Sequence, residues 1–323
     1  MVESTLAGII PGVVRPRLDL LGERLAAMGE DPRVEATHQV RVAARRLAAV
    51  LRTFAAVVGE PPACPIAPFR RIERRLGALR DLDILEQVLA RDAGAADDGE
   101  SRAALHRALE MVEQGRGRAT RRALRAVGRP GLRRAQQGLA AWLEAPRFSM
   151  LGSLPAAAVV PDLYLPALGE ILVHPGWEVS GTPQPDAAGA EALHALRRRL
   201  KGLRYRIECL AEWFGAPAER WLDELHRMQD ALGAWHDEGV VLEWLLRADA
   251  PPVALDRVRA RAGLVLDPWE GWRQRYLDPD ERRRMRSILQ GAARPRGDPA
   301  GAAAKEASRP PARAAARERA APG

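Results

Sequence analysis

The chain has 323 residues, enough for two domains of roughly 150 residues, each able to bury a core. A hydrophobic fraction of 47% and a charged fraction of 28% exclude a disordered chain. The 50 Lys and Arg outnumber the 42 Asp and Glu by a formal +8, which predicts a polyanionic partner. Only Lys201 and Lys305 are lysines, and the planar fork of the remaining cations, all arginine, suits phosphate and carboxylate oxygens.

Cys64 and Cys209 cannot build a disulfide framework, and neither lies in a CxxC or at zinc spacing from a histidine, so a reducing cytoplasm is expected. The N-terminal MVESTLAGIIPGVVRPRLDLL lacks the basic start and clean apolar stretch of a signal peptide. No apolar run approaches the roughly 18 residues of a membrane span, so neither secretion nor a membrane partner is expected.

Apolar residues recur at helical spacing along the chain, and alternating Val, Ile and Thr runs are scarce, so the fold class is all-α. The spacing predicts helices over 16–28, 33–58, 67–92, 100–127, 130–144, 162–173, 187–214, 217–247, 252–275 and 279–290. Asp31-Pro32 reads as a helix start, and Gly59 with Pro61 and Pro62, then Gly215 with Pro217, as stops. The segment HPGWEVSGTPQPDAAG, 174–189, reads as a linker. From Gly291 onward large apolar residues run out, which predicts a disordered basic tail over 291–323 that carries half of the net charge.

One register repeats. His38, Arg41, Arg45 and Leu47 return 156 residues later as His194, Arg197, Lys201 and Leu203, and Leu76-Gly77-Ala78 with Asp81 return as Leu232-Gly233-Ala234 with Asp237. This predicts a duplicated helical hairpin and two halves related by a pseudo-twofold. On a helical projection His38, Arg41, Arg45 and Arg52 share a narrow stripe opposite Val40, Leu47, Val50, Leu51 and Phe54. In the second copy His194, Arg197, Lys201 and Arg204 lie opposite Leu196, Leu200, Leu203, Ile207 and Leu210. Cations at i,i+4 repel, and neither stripe contains an intervening carboxylate, so a bound polyanion is one answer and acids on neighbouring helices the other. Neighbouring cations also lower the pKa of His38 and His194, and a bound polyanion raises it. Gly77 and Gly233 fall inside helical patterns, where close helix packing is expected. A further cluster, Arg116, Arg118, Arg121, Arg122, Arg125, Arg129, Arg133 and Arg134, reads either as part of the anion site, through Arg118 and Arg122, or as an exposed face.

The segments HQVRVAARRL, LGALRDLD, HALRRRLKGLRY and LHRMQDALGAWHD, in that order, resemble the CHAD family, the conserved histidine α-helical domain. The resemblance implies two four-helix bundles, over 1–155 and 156–290, about a central basic channel. It also implies non-catalytic binding of inorganic polyphosphate, with polyphosphate granules as a further partner. By motif position it places His38, Arg41, Arg45, Arg46, Arg80, His194, Arg197, Lys201 and Arg204 at that surface. Ala48 and His236 stand where basic residues are expected, and VPDLYLPALGEILVHPGW lacks the usual cations.

Other chemistries have weaker support. His226 and Asp230 at i,i+4, with His236 beside Asp237, offer metal ligands, but the first copy has Arg70 and Arg74 at the first two places. Neither an ExExK signature nor a P-loop nor a nucleophile with its base is present, so no catalytic residue and no cofactor is expected. RNA or another nucleic-acid backbone would also be attracted to arginine stripes, although only Tyr205 offers an aromatic ring beside one.

Overall fold

The computed structural model describes residues 4–30, 34–58 and 66–291. Asp31-Pro32, Gly59, Pro61, Pro62, Cys64 and the tail from 292 lie outside them. Within the described residues the chain is all helical: α1 Leu6–Glu30, α2 Val34–Thr53, α3 Ile66–Gly94, α4 Gly99–Val127, α5 Pro130–Glu144 and α6 Ala156–Leu172, then α7 Ala190–Cys209, α8 Ala211–Phe214, α9 Ala216–Arg247, α10 Pro252–Val265, α11 Trp269–Leu277 and α12 Pro279–Gln290. Extended pairing among them is confined to the isolated bridges Thr5 to Pro155 and Val58 to Phe148.

Each predicted helix is present, and the departures have physical causes. Helix α1 starts ten residues early and contains Pro11 and Pro16; α6 starts six early and contains Pro161 and Pro166. An interior proline costs about 3 kcal/mol. Here Leu6, Ile9, Ile10, Val13 and Val14 on α1, and Val159, Val160 and Tyr164 on α6, are buried around those prolines, and that apolar burial offsets the cost. The two proline pairs lie 150 residues apart, close to but not in the 156-residue register of the repeat. The helix ends keep that register: both ends of α7 fall 156 residues after those of α2. The predicted helix over 187–214 breaks into α7 and α8, and that over 252–275 into α10 and α11.

The expectation that no segment suits a membrane does not hold by composition. Ala156–Glu178 spans 23 residues with a mean hydropathy of 1.5, long and apolar enough to cross one. In the fold Leu168, Ile171 and Leu172 are buried, and α6 packs on α7 and α12 as a core helix does.

Two apolar clusters hold the chain. The larger joins the buried faces of α1, α2, α5, α6 and α7 to the starts of α3 and α9, and so draws on residues from both sides of position 155. The smaller pairs Leu85, Leu89, Leu105 and Val112 with Val241, Leu242, Leu245 and Val258 at the far ends of the hairpins. In the segment 174–189, expected as a linker, Trp177 stacks on Trp269 at 5.3 Å and on Tyr276 at 4.5 Å between ring centroids, and its Nε1 donates to the Ile171 carbonyl at 2.7 Å. That segment is therefore nailed to α11 rather than loose.

Gly189 precedes α7 with φ +91°, and a Cβ there would lie 2.8 Å from Val179 Cγ2. Both the left-handed backbone and the close approach require glycine. Gly189→Ala is expected to lower unfolding free energy by about 1–3 kcal/mol in chemical denaturation. Unchanged stability would show that Val179 yields without cost.

Candidate functional site

Helices α2, α3, α9 and α7 touch in sequence around a ring, each packed on the next and α7 back on α2. The ring encloses a cavity of about 1,910 Å³, to which α8 and the α11–α12 region add a border. The amphipathic pattern explains its lining. Val40, Leu47, Val50, Leu51 and Phe54 of α2, and Leu196, Leu200, Leu203 and Ile207 of α7, are buried in the larger cluster, so the cationic stripes opposite them turn into the cavity. Fourteen Arg and Lys side chains line it against nine carboxylates.

Of the residues expected at the site, His38, Arg41, Arg45, Arg46, Arg52, Arg197, Lys201 and Arg204 line this cavity. Four do not. Arg80 is half-buried behind the wall, near enough to Arg41 to help lower its pKa. His194 sits at the edge, its Nδ1 3.2 Å from Nδ1 of His236, and it is His236 that lines the cavity. Burial first, then Arg197 and Arg198, push the His194 pKa down to about 4, so its charge does not switch near neutral pH. Arg118 and Arg122 are exposed on α4, away from the cavity.

The acids absent from the stripes themselves come from elsewhere. Arg45 is buried, its Nε 2.8 Å from Glu73 Oε1 and its Nη1 donating to the Tyr205 hydroxyl at 3.3 Å. Burial opposes its charge, but Tyr205 and Glu73 outweigh that and raise the Arg45 pKa. Arg204 lies over the Tyr205 ring at 4.4 Å and pairs with Glu208 at 3.0 Å. His226 bridges the Leu222 carbonyl at 2.7 Å and Glu208 at 3.2 Å, so its ring is committed to protein partners. Burial works against the Glu208 charge, yet His226, Arg204 and Arg46 hold its pKa below the ordinary carboxylate range. At the α12 side Arg275 joins Glu224 at 2.6 Å and Glu281 at 3.2 Å.

Several lining cations have no such direct partner, and two of them, Arg41 and Lys201, are also strongly desolvated. Arg41 and Lys201 make no hydrogen bond or ion pair with any described residue, and Arg41 Nε is buried. Desolvation, then Arg45, lowers the Arg41 pKa to about 10. Desolvation with Arg45, Arg41, Arg197 and Arg204 takes the Lys201 pKa well below 10.5. The repeated register locates one difference. Gln229 stands 156 residues after Glu73, so the Lys201 equivalent of the Arg45–Glu73 pair has an amide in place of a carboxylate, and Gln229 Nε2 is itself buried without a hydrogen-bond partner among the described residues.

Asp81 faces the same cavity; desolvation raises its pKa against the pull of Arg41, and Asp237 raises it further. Gly77 also lines the cavity, where a Cβ would meet Arg41 Cδ at 3.9 Å, an ordinary contact. Its place is therefore along the arm of Arg41 rather than in a tight helix crossing. No group of three or more His, Cys, Asp or Glu suited to a metal ion occurs among the described residues. The arrangement can neutralise a multiply charged anion, and among the described lining residues no Ser, Thr or Cys stands beside a base. Sequence reasoning missed the framing roles of Glu73, Tyr205 and Glu208, and the lining arginines Arg198, Arg220 and Arg227; only the i,i+4 spacing of Arg204 and Glu208 was available to find any of them.

Among solved structures, the chain resembles the CHAD domain from the plant Ricinus communis with a TM-score of 0.58 and 24% identity, over 91% of this chain and 94% of that one. It resembles PptA from Streptomyces chartreusis with a TM-score of 0.54 and 20% identity, over 89% of this chain and all of that one. No curated protein matches it by sequence. These likenesses show a shared fold, and since residues 13–246 match the CHAD domain family, the chain belongs to that family.

Proposed function

We propose that the ring cavity binds inorganic polyphosphate without transforming it, in two related halves that each supply one cationic helix. The observation that carries this reading is the pair Arg41 and Lys201, without a hydrogen bond or ion pair among the described residues and desolvated beside further arginines inside a cavity open to solvent. An anion there would relieve like-charge repulsion that Asp81, whose charge burial itself disfavours, offsets only in part. Cations three and four residues apart on a helix stand roughly 5–6 Å apart, which suits successive phosphates of a chain. Release of the chain's counterions drives association. His38, Arg46, Arg52, Arg197 and Arg204 extend the surface along α2 and α7, whereas Arg45 acts as a framing cation held by Glu73 and Tyr205. A cytoplasmic protein attached to polyphosphate granules is the cellular setting that fits this reading. RNA is the rival ligand, and Tyr205, buried and already in contact with Arg45 and Arg204, offers bases no free platform.

Two measurements test it. Titration with long-chain polyphosphate across a salt series is expected to show a log–log slope that flattens by roughly one to two in Arg41→Ala/Lys201→Ala, with affinity reduced and thermal stability kept. An unchanged slope, or equal affinity for RNA of the same charge, counts against the assignment. The second concerns pH. Anion binding raises a depressed lysine pKa, so binding takes up a proton and affinity falls as pH climbs from neutrality toward 10.5. Lys201→Arg is expected to flatten that dependence because guanidinium stays charged. Gln229→Glu is expected to flatten it too, while weakening binding by supplying the missing carboxylate. Identical pH profiles for parent and Lys201→Arg would remove Lys201 from the site.

A further inference from the structure

A second cationic surface lies outside the cavity. From Gln114 to Leu143 the chain has no carboxylate, and Arg118, Arg121, Arg122 and Arg125 on α4, Arg129 at the bend, and Arg133 and Arg134 on α5 are all exposed. None of these seven side chains has a hydrogen bond or ion pair with a described residue. Arg116 is different: it reaches back to α3, where Asp83 accepts from its Nε at 2.8 Å and Glu86 lies at 3.4 Å. At 100° per residue the four exposed arginines of α4 share a stripe about 100° wide, nearly opposite Arg116. The stripe therefore points away from α3, the helix that walls the cavity.

Such a face is costly without a ligand. Its i,i+3 and i,i+4 neighbours repel by a few tenths of a kcal/mol per pair. Arg133 and Arg134 stand near the N-terminal end of α5, whose first turn has no acid, where the helix dipole disfavours cations.

We infer that this outer face is a second binding surface for a linear phosphate chain, separate from the cavity. The inference rests on polyphosphate being the ligand of the ring. Arginine forks grip phosphate oxygens in pairs, and the face offers little else to grip. Its one large exposed apolar side chain is Leu124, too little to enter a bilayer, and Trp142 of α5 is buried and cannot stack a base. Two surfaces facing apart let one molecule join two chains, or two stretches of one chain, so that the protein condenses its ligand as well as holding it.

The test uses the full chain and long-chain inorganic polyphosphate, with a salt series for affinity and light scattering for cross-linking. The outer variant is Arg118→Ala/Arg121→Ala/Arg122→Ala/Arg125→Ala, at exposed helical positions where alanine keeps the helix. It is expected to flatten the salt slope by roughly three and to lose the scattering of cross-linked chains while a single chain still binds. Parent slope and scattering in this variant would overturn the inference. So would loss of binding to anionic vesicles or duplex RNA with polyphosphate binding intact, which would reassign the face. The cavity variant Arg41→Ala/Lys201→Ala separates the two readings: if it binds as the parent does, the cavity assignment fails, and the outer face stands or falls on its own slope.

Discussion

Like charges that cannot move apart set the terms for the rest of this molecule. Arg41 and Arg45 on α2 face Lys201, Arg197 and Arg204 on α7 across one cavity, and the backs of both helices are locked in the larger apolar cluster. Each fully buried Leu, Val or Phe on those backs contributes about 1.5–3 kcal/mol, against a few tenths for an exposed like-charge pair, so the core wins and the cations stay where it puts them. Desolvation then sharpens the repulsion, which appears as the lowered pKa of Arg41, Arg52 and Lys201.

The fold tolerates this because part of the charge is answered internally. Glu73 holds Arg45, Glu208 holds Arg204 and His226, and Tyr205 lies between the two arginines. These contacts fix guanidinium planes rather than cancel the site, since cations still outnumber carboxylates around the cavity. A buried pair of this kind is a weak source of net stability, and its clearer effect here is to specify geometry.

What could be read in the sequence was whatever depends on one helix at a time. Periodicity placed Val40, Leu47 and Leu203 in the core and the arginine stripe opposite them, because both follow from a 3.6-residue turn. The helix starts at Leu6 and Ala156 were hidden by Pro11, Pro16, Pro161 and Pro166, whose local cost is overridden by tertiary burial. Pairings between helices were hidden as well: nothing local tells that Glu73 reaches Arg45 or that His194 meets His236 instead of the cavity. Nor does a periodic arginine cluster reveal which side of a hairpin it occupies, which is why Arg118 and Arg122 separate from the ring only in three dimensions. The apolar α6 illustrates the same ambiguity, since a core helix and a membrane span share a composition.

Unequal side chains at positions 156 residues apart bear on where the unpaired charge lies. Glu73 stands against Arg45, whereas Gln229 occupies the position 156 residues later, so Lys201 has no carboxylate partner of that kind. Conversely, Glu208 of α7 answers to Arg52 in the first copy, and Arg204 to Ala48, so the second copy places a cation and its own partner acid where the first has an alanine and a lone arginine. With an amide at 229, Arg41 of α2 and Lys201 of α7 meet in one cavity as desolvated cations without direct partners, contributed by different helices. The desolvated pair thus depends on both helices, and neither α2 nor α7 alone contains it.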